Sequence, residues 1–412
     1  SQSPMNLRRR SKNDWGRLDM RFNLWEDCNR VPLTELLSFI VDNRGKTVPT
    51  APSGHKLIAT NCVTNNTLFP VYEKIRYLSE ETYQTWFRAH PIPGDILFVN
   101  KGTPGRVCLV PDPVDFCIAQ DMIALRADES KIYPKYLFAV LRSREIQQQI
   151  YNTNVGDVIP HFKKQFLNQL LIPIPERSIQ ESIGDLYYVL SLKAERNKKI
   201  NDNLQQQAAA LFSSLYDRTN TEVRFTDLIQ ILGGGTPKTG ENTYWNGNIA
   251  FFTPKDVGTP YTLSTEKTIT EEGLSHCNSR LYPVNTVFVT ARGTVGKVGM
   301  SGVPMAMNQS CYALVGKETH QLLVYFYTLK TVDRLKHKAS GAVFDAITTR
   351  DFESEQIMKL SDEDAKSFLC IAAPMFQKVL DNGIENQRLS TLRDSLLPKL
   401  MSGEIDVSAV QL

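Results

Sequence analysis

The sequence predicts an α+β protein: two similar globular blocks separated by two long helices that form an antiparallel coiled coil, an internal pseudo-twofold repeat of about 190 residues. Three observations predict it. "PGDILFVNKGTPGRV" (93–107) matches "PVNTVFVTARGTVGKV" (283–298) with one gap. "LTELLSFIVDNRGKT" (33–47) relates to "FTDLIQILGGGTP" (225–237) at the same offset, and "GDVIPHFKKQF" (156–166) relates loosely to "GAVFDAITTRDF" (341–352). After each block comes a long stretch whose seam advances in alternating steps of three and four, the mark of a heptad pattern.

The first block spans 1–175, and its matched stretch reads as a proline, a four-residue apolar strand and a Gly-Thr-x-Gly turn. Pro173, Pro175 and "ERS" mark the start of a first long helix, 176–217, and "DRTNTE" (217–222) marks its exit. Its seam runs Ile179, Ile183, Leu186, Leu190, Lys193, Asn197, Ile200, Leu204, Gln207 and Leu211. About 36 residues at about 1.5 Å each give a rod of about 54 Å, longer than one such block needs for packing.

The second block, 218–360, opens on the apolar run Leu228–Leu232 and then "GGGTPKTGENTYWNG" (233–247). A phosphate-cradling loop does not fit. The third glycine of a dinucleotide frame would be Lys238, and Gly240 is followed by Glu241 where a Walker lysine should stand. The next residues along the chain are turn formers, so no helix N-terminus is available for a phosphate. The glycines read as a turn leaving an apolar segment, matched by Asn43-Arg44-Gly45-Lys46-Thr47 in the first block.

The second helix, 361–403, starts at Ser361 with acidic residues and is stopped by Pro398 and Gly403, leaving a tail at 404–412. Its seam runs Ala365, Phe368, Ala372, Met375, Val379, Asn382, Asn386, Leu389, Arg393, Leu396 and Leu400. Asn197 and Asn386 share the repeat offset, and a seam asparagine gives up stability to fix register.

Composition narrows the class. At 412 residues with 42% hydrophobic content the chain can bury real cores in two or three domains. Seven scattered cysteines without C-x-x-C spacing argue against a disulfide framework and a zinc site, and suit a reducing cytoplasm. No run of 18 apolar residues predicts a membrane span. The net charge of +3 does not by itself point to nucleic acid. Residues 1–175, however, hold 22 Lys+Arg against 17 Asp+Glu, so the first block is the more basic part.

The stretches "GGGTPKTGENTYWNGNIAFFTPKDV" (233–257), "ARGTVGKVG" (291–299), "NRGKT" (43–47) and "LLPKLMSGEIDV" (396–407) carry a family resemblance. The chain resembles the specificity subunit of type I restriction-modification systems. Phe252 stands where that family often has tryptophan, and the first block has no "TPKD". The resemblance implies a non-catalytic reader of double-stranded DNA whose two target recognition domains each read one half of a bipartite, asymmetric site. It implies helices that set the spacing and dock two methyltransferase subunits, with restriction/translocase subunits further out and no membrane. S-adenosylmethionine, ATP and magnesium would then belong to the partners, with no cofactor and no metal site in this chain. The alternative reading is a bivalent scaffold that binds protein or glycan ligands.

Major-groove readout uses Arg or Lys for guanine and Asn or Gln for adenine, while phosphates take positive charge. Candidate DNA contacts come from the repeated loops. Lys101 and Arg106 pair with Arg292 and Lys297 in the Gly-Thr-x-Gly turns, Arg44 and Lys46 with Lys238, Tyr244 and Trp245 in the glycine loops, and Gln120 with Gln309. His161, Lys163 and Lys164 pair with Thr348, Thr349 and Arg350, and Lys255 lies in "TPKD". A solvated turn is the plain alternative for each cation. Identity at matched positions points to phosphate contacts common to both halves, whereas differences point to base readers.

Overall fold

The computed structural model describes residues 23–43, 45–153, 160–258, 260–338 and 346–406. It divides into one unit of residues 1–195 with 389–412 and another of residues 196–388.

The first unit holds strands β1 (Asn29–Pro32), β2 (Leu37–Val41), β3 (His55–Ile58), β4 (Arg76–Leu78), β5 (Ile96–Val99), β6 (Val107–Leu109), β7 (Phe116–Ile118), β8 (Met122–Ala127) and β9 (Leu171–Ile174). Its short helices are α1 (Leu24–Asp27), α2 (Glu80–Thr85), α3 (Pro134–Leu141) and α4 (Arg144–Thr153). The apolar run "ILFV" of β5 is buried along its whole length because the sheet β2-β8-β5-β6 is covered on both faces. Alternation sorts its side chains. Ile96 and Phe98 join the core of α3 and α4, whereas Leu97 and Val99 join the core shared with Ile58, Phe116 and Ile118 of the second sheet, β4-β3-β7. Each such fully buried side chain contributes about 1.5–3 kcal/mol of burial free energy.

A helix α5 (Arg177–Tyr216) leads into the second unit, whose strands are β10 (Glu222–Arg224), β11 (Ile229–Gly233), β12 (Trp245–Phe252), β13 (Tyr261–Thr262), β14 (Lys267–Ile269), β15 (Val287–Thr290), β16 (Val298–Ser301), β17 (Met305–Met307), β18 (Cys311–Gly316) and β19 (Gln356–Met358). Its helices are α6 (Phe225–Leu228), α7 (Glu271–Ser275), α8 (Gln321–Lys338) and α9 (Thr349–Glu353), followed by α10 (Asp362–Met401). The sheets β11-β18-β15-β16-β13 and β14-β12-β17 reproduce the strand order of the first unit, with β13 added at one edge. The parallel pairing of β12 with β17 reproduces that of β3 with β7. Val287 and Val289 face the helical core, and Phe288 faces Phe252, Met305 and Met307 of the second sheet. Helix, sheet and second sheet are thus layered in the same order in each unit.

The long helices pair antiparallel within each unit. In the first, Ile183 and Tyr187 share a core with Leu397, Leu400 and Met401, and the Arg393 guanidinium lies 5.5 Å from the Tyr187 ring centroid. In the second, Asn197 Nδ2 donates to Asn386 Oδ1 at 2.9 Å and to Glu385 Oε2 at 2.7 Å, and Asn382 Nδ2 donates to Asn201 Oδ1 at 2.8 Å. The α10 seam lies on the buried or half-buried face at every position expected of it. The α5 seam holds at Ile183 and Asn197, but Lys193, Ile200 and Gln207 are exposed, and Gln180, Gly184, Tyr187, Ser191, Ala208 and Phe212 are buried instead. The buried residues keep heptad spacing, with Gln180, Tyr187 and Ala208 each one position after the expected Ile179, Leu186 and Gln207, so one of the two seam lines is set one residue too early. Ser361 Oγ accepts from the Asp364 amide at 3.1 Å, capping α10 ahead of three acidic residues in its first turn. Pro398 does not stop α10, which runs to Met401; the break comes at Gly403, with φ 71°.

Candidate nucleic-acid interface

The repeated turns are held by repeated backbone bonds. After β5, Gly102 and Gly105 take φ 85° and 86°; after β15, Gly293 and Gly296 take 81° and 74°. Left-handed backbone at both glycines is what the Gly-Thr-x-Gly spacing supplies. The Gly105 amide donates to Val99 O at 3.0 Å, and the Gly296 amide to Thr290 O at 2.9 Å. Lys101 forms an antiparallel bridge with His161, as Arg292 does with Ala346. The Phe162 amide donates to Asn100 O at 2.8 Å, and the Ile347 amide to Ala291 O at 2.9 Å.

The turn that carries the glutamines is fixed in the same way. Amides of Ala119 and Asn308 donate to Ile58 O and Phe252 O, each at 3.0 Å. Asp121 O and Ser310 O accept from Asn100 N at 2.9 Å and Ala291 N at 2.8 Å. The glycine loops close the group: Asn43 Nδ2 donates to Ile118 O at 2.8 Å, and the Gly235 amide to Met307 O at 3.1 Å. Each unit therefore gathers a glycine loop, a glycine turn, a glutamine turn and one further segment at a single edge.

The glycines of the second unit answer to packing. A Cβ on Gly234 would lie 2.2 Å from Asn308 O, and one on Gly235 would lie 2.6 Å from the Asn278 amide nitrogen. The loop leads into a short 3-10 turn and then β12. Close backbone approach accounts for both residues.

Lys46, Lys101, Arg106 and Lys163 project exposed from the first edge, and half-buried His161 lies beside Lys101. Lys164 is exposed there too but forms an ion pair with Asp42 at 2.8 Å, which offsets part of its charge. Arg44 lies outside the described residues. Lys238, Lys255, Arg292, Lys297, Thr349 and Arg350 are exposed in the second unit. Asp256 shapes the Lys255 turn by accepting from the Thr253 amide at 2.8 Å and the Glu266 amide at 2.8 Å. Thr348 and Asp351 form a capping box that places Thr349 and Arg350 in the first turn of α9.

Two aromatic candidates are held by the fold. Trp245 packs edge-on against Phe251 at 5.5 Å, and its Nε1 donates to Lys238 O at 3.3 Å. Tyr244 stacks on His276 at 4.9 Å. Gln309 is exposed, with Oε1 accepting from the Thr236 hydroxyl; Gln120 is half-buried, and its Oε1 is sheltered from solvent without a partner among the described residues. Sequence reasoning missed Asn43, Asn100 and Thr236. Only their position beside a repeated turn could have signalled them, since one long-range partner of each is set by tertiary folding.

Acid–base chemistry finds little support at these edges. Burial pushes the thiols of Cys117 and Cys311, on β7 and at the start of β18, up to about 12, which leaves them protonated and unreactive. Among the described residues, no group of three or more His, Cys, Asp or Glu side chains is placed to hold a metal ion.

Comparison with known proteins gives the family. The family model "Type I restriction modification DNA specificity domain" matches residues 43–206 and 218–361, one copy for each half of the repeat. The chain is 22% identical over 398 residues to the type I restriction enzyme HindI specificity subunit of Haemophilus influenzae, covering 76% of this chain and 86% of that one. It is 31% identical over 205 residues to the EcoR124I/EcoR124II specificity subunit of Escherichia coli, covering 44% and 50%. In fold it is similar to the crystal structure of a type I restriction-modification S subunit from M. genitalium, with a TM-score of 0.60 at 16% identity over 92% of this chain and 98% of that one. With two matched domains covering most of its length, the chain belongs to the type I restriction-modification DNA specificity family.

Proposed function

We propose that each unit reads one half of a bipartite DNA site through the edge that carries the glycine turn. The observation behind this reading is the pairing of Lys101 with Arg292 and of Arg106 with Lys297 on turns pinned by equivalent backbone bonds. A cation at the same place on the same backbone suits a partner with the same chemistry in both halves, and the DNA phosphate is that partner. The paired helices set the spacing and dock two methyltransferase subunits, with restriction/translocase subunits completing a cytoplasmic complex. S-adenosylmethionine, ATP and magnesium belong to those partners, and this chain binds and positions without bond chemistry of its own.

The test is methylome sequencing of cells carrying the chain with its methyltransferase partner, set against cells lacking it. A methylated split motif is expected. Exchange of residues 218–360 for those of another family member should change one side of that motif only. A change on both sides, or no added methylation with the partner bound, would overturn the reading.

A further inference from the structure

The last turn of α8 lies against the second glycine turn. A Cβ on Gly296 would lie 2.6 Å from Lys336 Cε and 3.4 Å from Lys336 Nζ, so the lysine stem crosses space that only a glycine leaves open. In the first unit the equivalent Gly105 rests on Ile150, whose Cδ1 would lie 3.1 Å from such a Cβ. Lys336 and Ile150 therefore hold the same place beside the same turn. One is an exposed cation and the other a buried hydrocarbon.

The fold uses the neighbouring cations of α8 in another way. Lys330 lies over the Tyr216 ring, 5.2 Å from its centroid. Arg334 donates to Gln356 O and, at 3.1 Å, to the Tyr216 hydroxyl. Lys338 pairs with the carboxylate of Glu355, which is buried. Lys336 instead brings its ammonium to the turn that carries Arg292 and Lys297. Among the described residues, no carboxylate forms an ion pair with any of these three. Like charges gathered on one turn repel one another, and an anion seated among them removes that cost. An ammonium is a point charge on a flexible stem, which suits a phosphate oxygen.

We infer that Lys336 is a further DNA-contacting residue, a third phosphate grip beside Arg292 and Lys297, with no counterpart in the first unit because Ile150 fills the place. At this turn the second half of the site is then held through one more phosphate than the first. This rests on the reading that each unit reads one half-site.

The experiment uses the full chain assembled with its methyltransferase subunits and two duplexes that end within the spacer. One carries only the first half-site and the other only the second, as assigned by exchange of residues 218–360. Lys336→Met keeps the stem and removes the charge. On the second duplex it is expected to lower the slope of log affinity against log salt by about 0.9, so that the gap between parent and variant narrows roughly three- to fourfold from about 50 to about 200 mM salt. On the first duplex the slope should not move. Lys336→Arg, which restores the charge, should restore the slope. An unchanged slope on the second duplex overturns the inference, and a lowered melting midpoint beside it would assign Lys336 to the end of α8 alone. An equal change on both duplexes overturns it as well. A parent complex that prefers neither duplex over unrelated DNA would defeat the half-site reading and this inference together. Parent preference retained, with the Lys336→Met slope unchanged, would defeat this inference alone.

Discussion

Asn197 and Asn386 stand 189 positions apart and meet side chain to side chain, Nδ2 to Oδ1, at 2.9 Å. Helices α5 and α10 begin at residues 177 and 362, an offset of 185, so the counterpart of Asn197 is Asn382, and the contact is repeated by Asn382 Nδ2 donating to Asn201 Oδ1 at 2.8 Å. Asn197 is 1% exposed, and its Oδ1 has no partner among the described residues. Such a pair gives up stability to hold register. Asn197→Ala, which strips the donor from Glu385 and Asn386, should lower the unfolding free energy by about 1–2 kcal/mol. The double variant Asn197→Leu with Asn386→Leu should be no less stable than the parent, and up to about 2 kcal/mol more stable. Urea unfolding of the three proteins decides it. A double variant as weak as the single one would show that the pair stabilises the coil outright.

The matched cations predict a salt signature. Replacing Arg292 and Lys297 by Ala should weaken binding at all sequences and flatten the dependence of log affinity on log salt by about 0.9 for each phosphate that is no longer neutralised. Lys101→Ala with Arg106→Ala should give a change of the same size. Titrations at several salt concentrations measure it, and an unchanged slope would return these residues to the status of solvated turn cations.

The glycine loop separates packing from ligand binding. Gly234→Ala places a Cβ 2.2 Å from Asn308 O and should cost about 1–3 kcal/mol by overpacking. Gly240→Ala meets nothing within 4 Å and should change stability by less than about 0.5 kcal/mol. Thermal unfolding of both variants checks the contrast. Equal effects would mean that the loop does not pack as described.

The repeat is legible in the sequence because its turns need particular residues. Gly102, Gly105, Gly293 and Gly296 all adopt left-handed backbone, and that demand leaves a spaced signature. The α10 seam is legible throughout, but one of the two heptad lines of α5 is set one position too early and passes over Tyr187 and Gly184 as buried residues. Gly184 shows why. A Cβ there would meet the Tyr136 backbone nitrogen at 2.6 Å, a close approach of two distant segments that no local pattern announces. Trp245 is open to two readings from sequence, because an indole packed on Phe251 and one facing a ligand share the same local context. The clustering of glutamine turn, glycine loop and glycine turn depends on bonds such as Asn43 Nδ2 to Ile118 O, whose partners are 75 residues apart.

The pins that hold these edges run mostly from amide to carbonyl, as in Phe162 N to Asn100 O and Ile347 N to Ala291 O. A main-chain pin is indifferent to the side chain it carries. His161 can therefore stand opposite Lys101 in one half while Ala346 stands opposite Arg292 in the other, with the turn unchanged. The chain works in this respect like a type frame: the letters can be changed one at a time, and independently in each half, without recasting the frame.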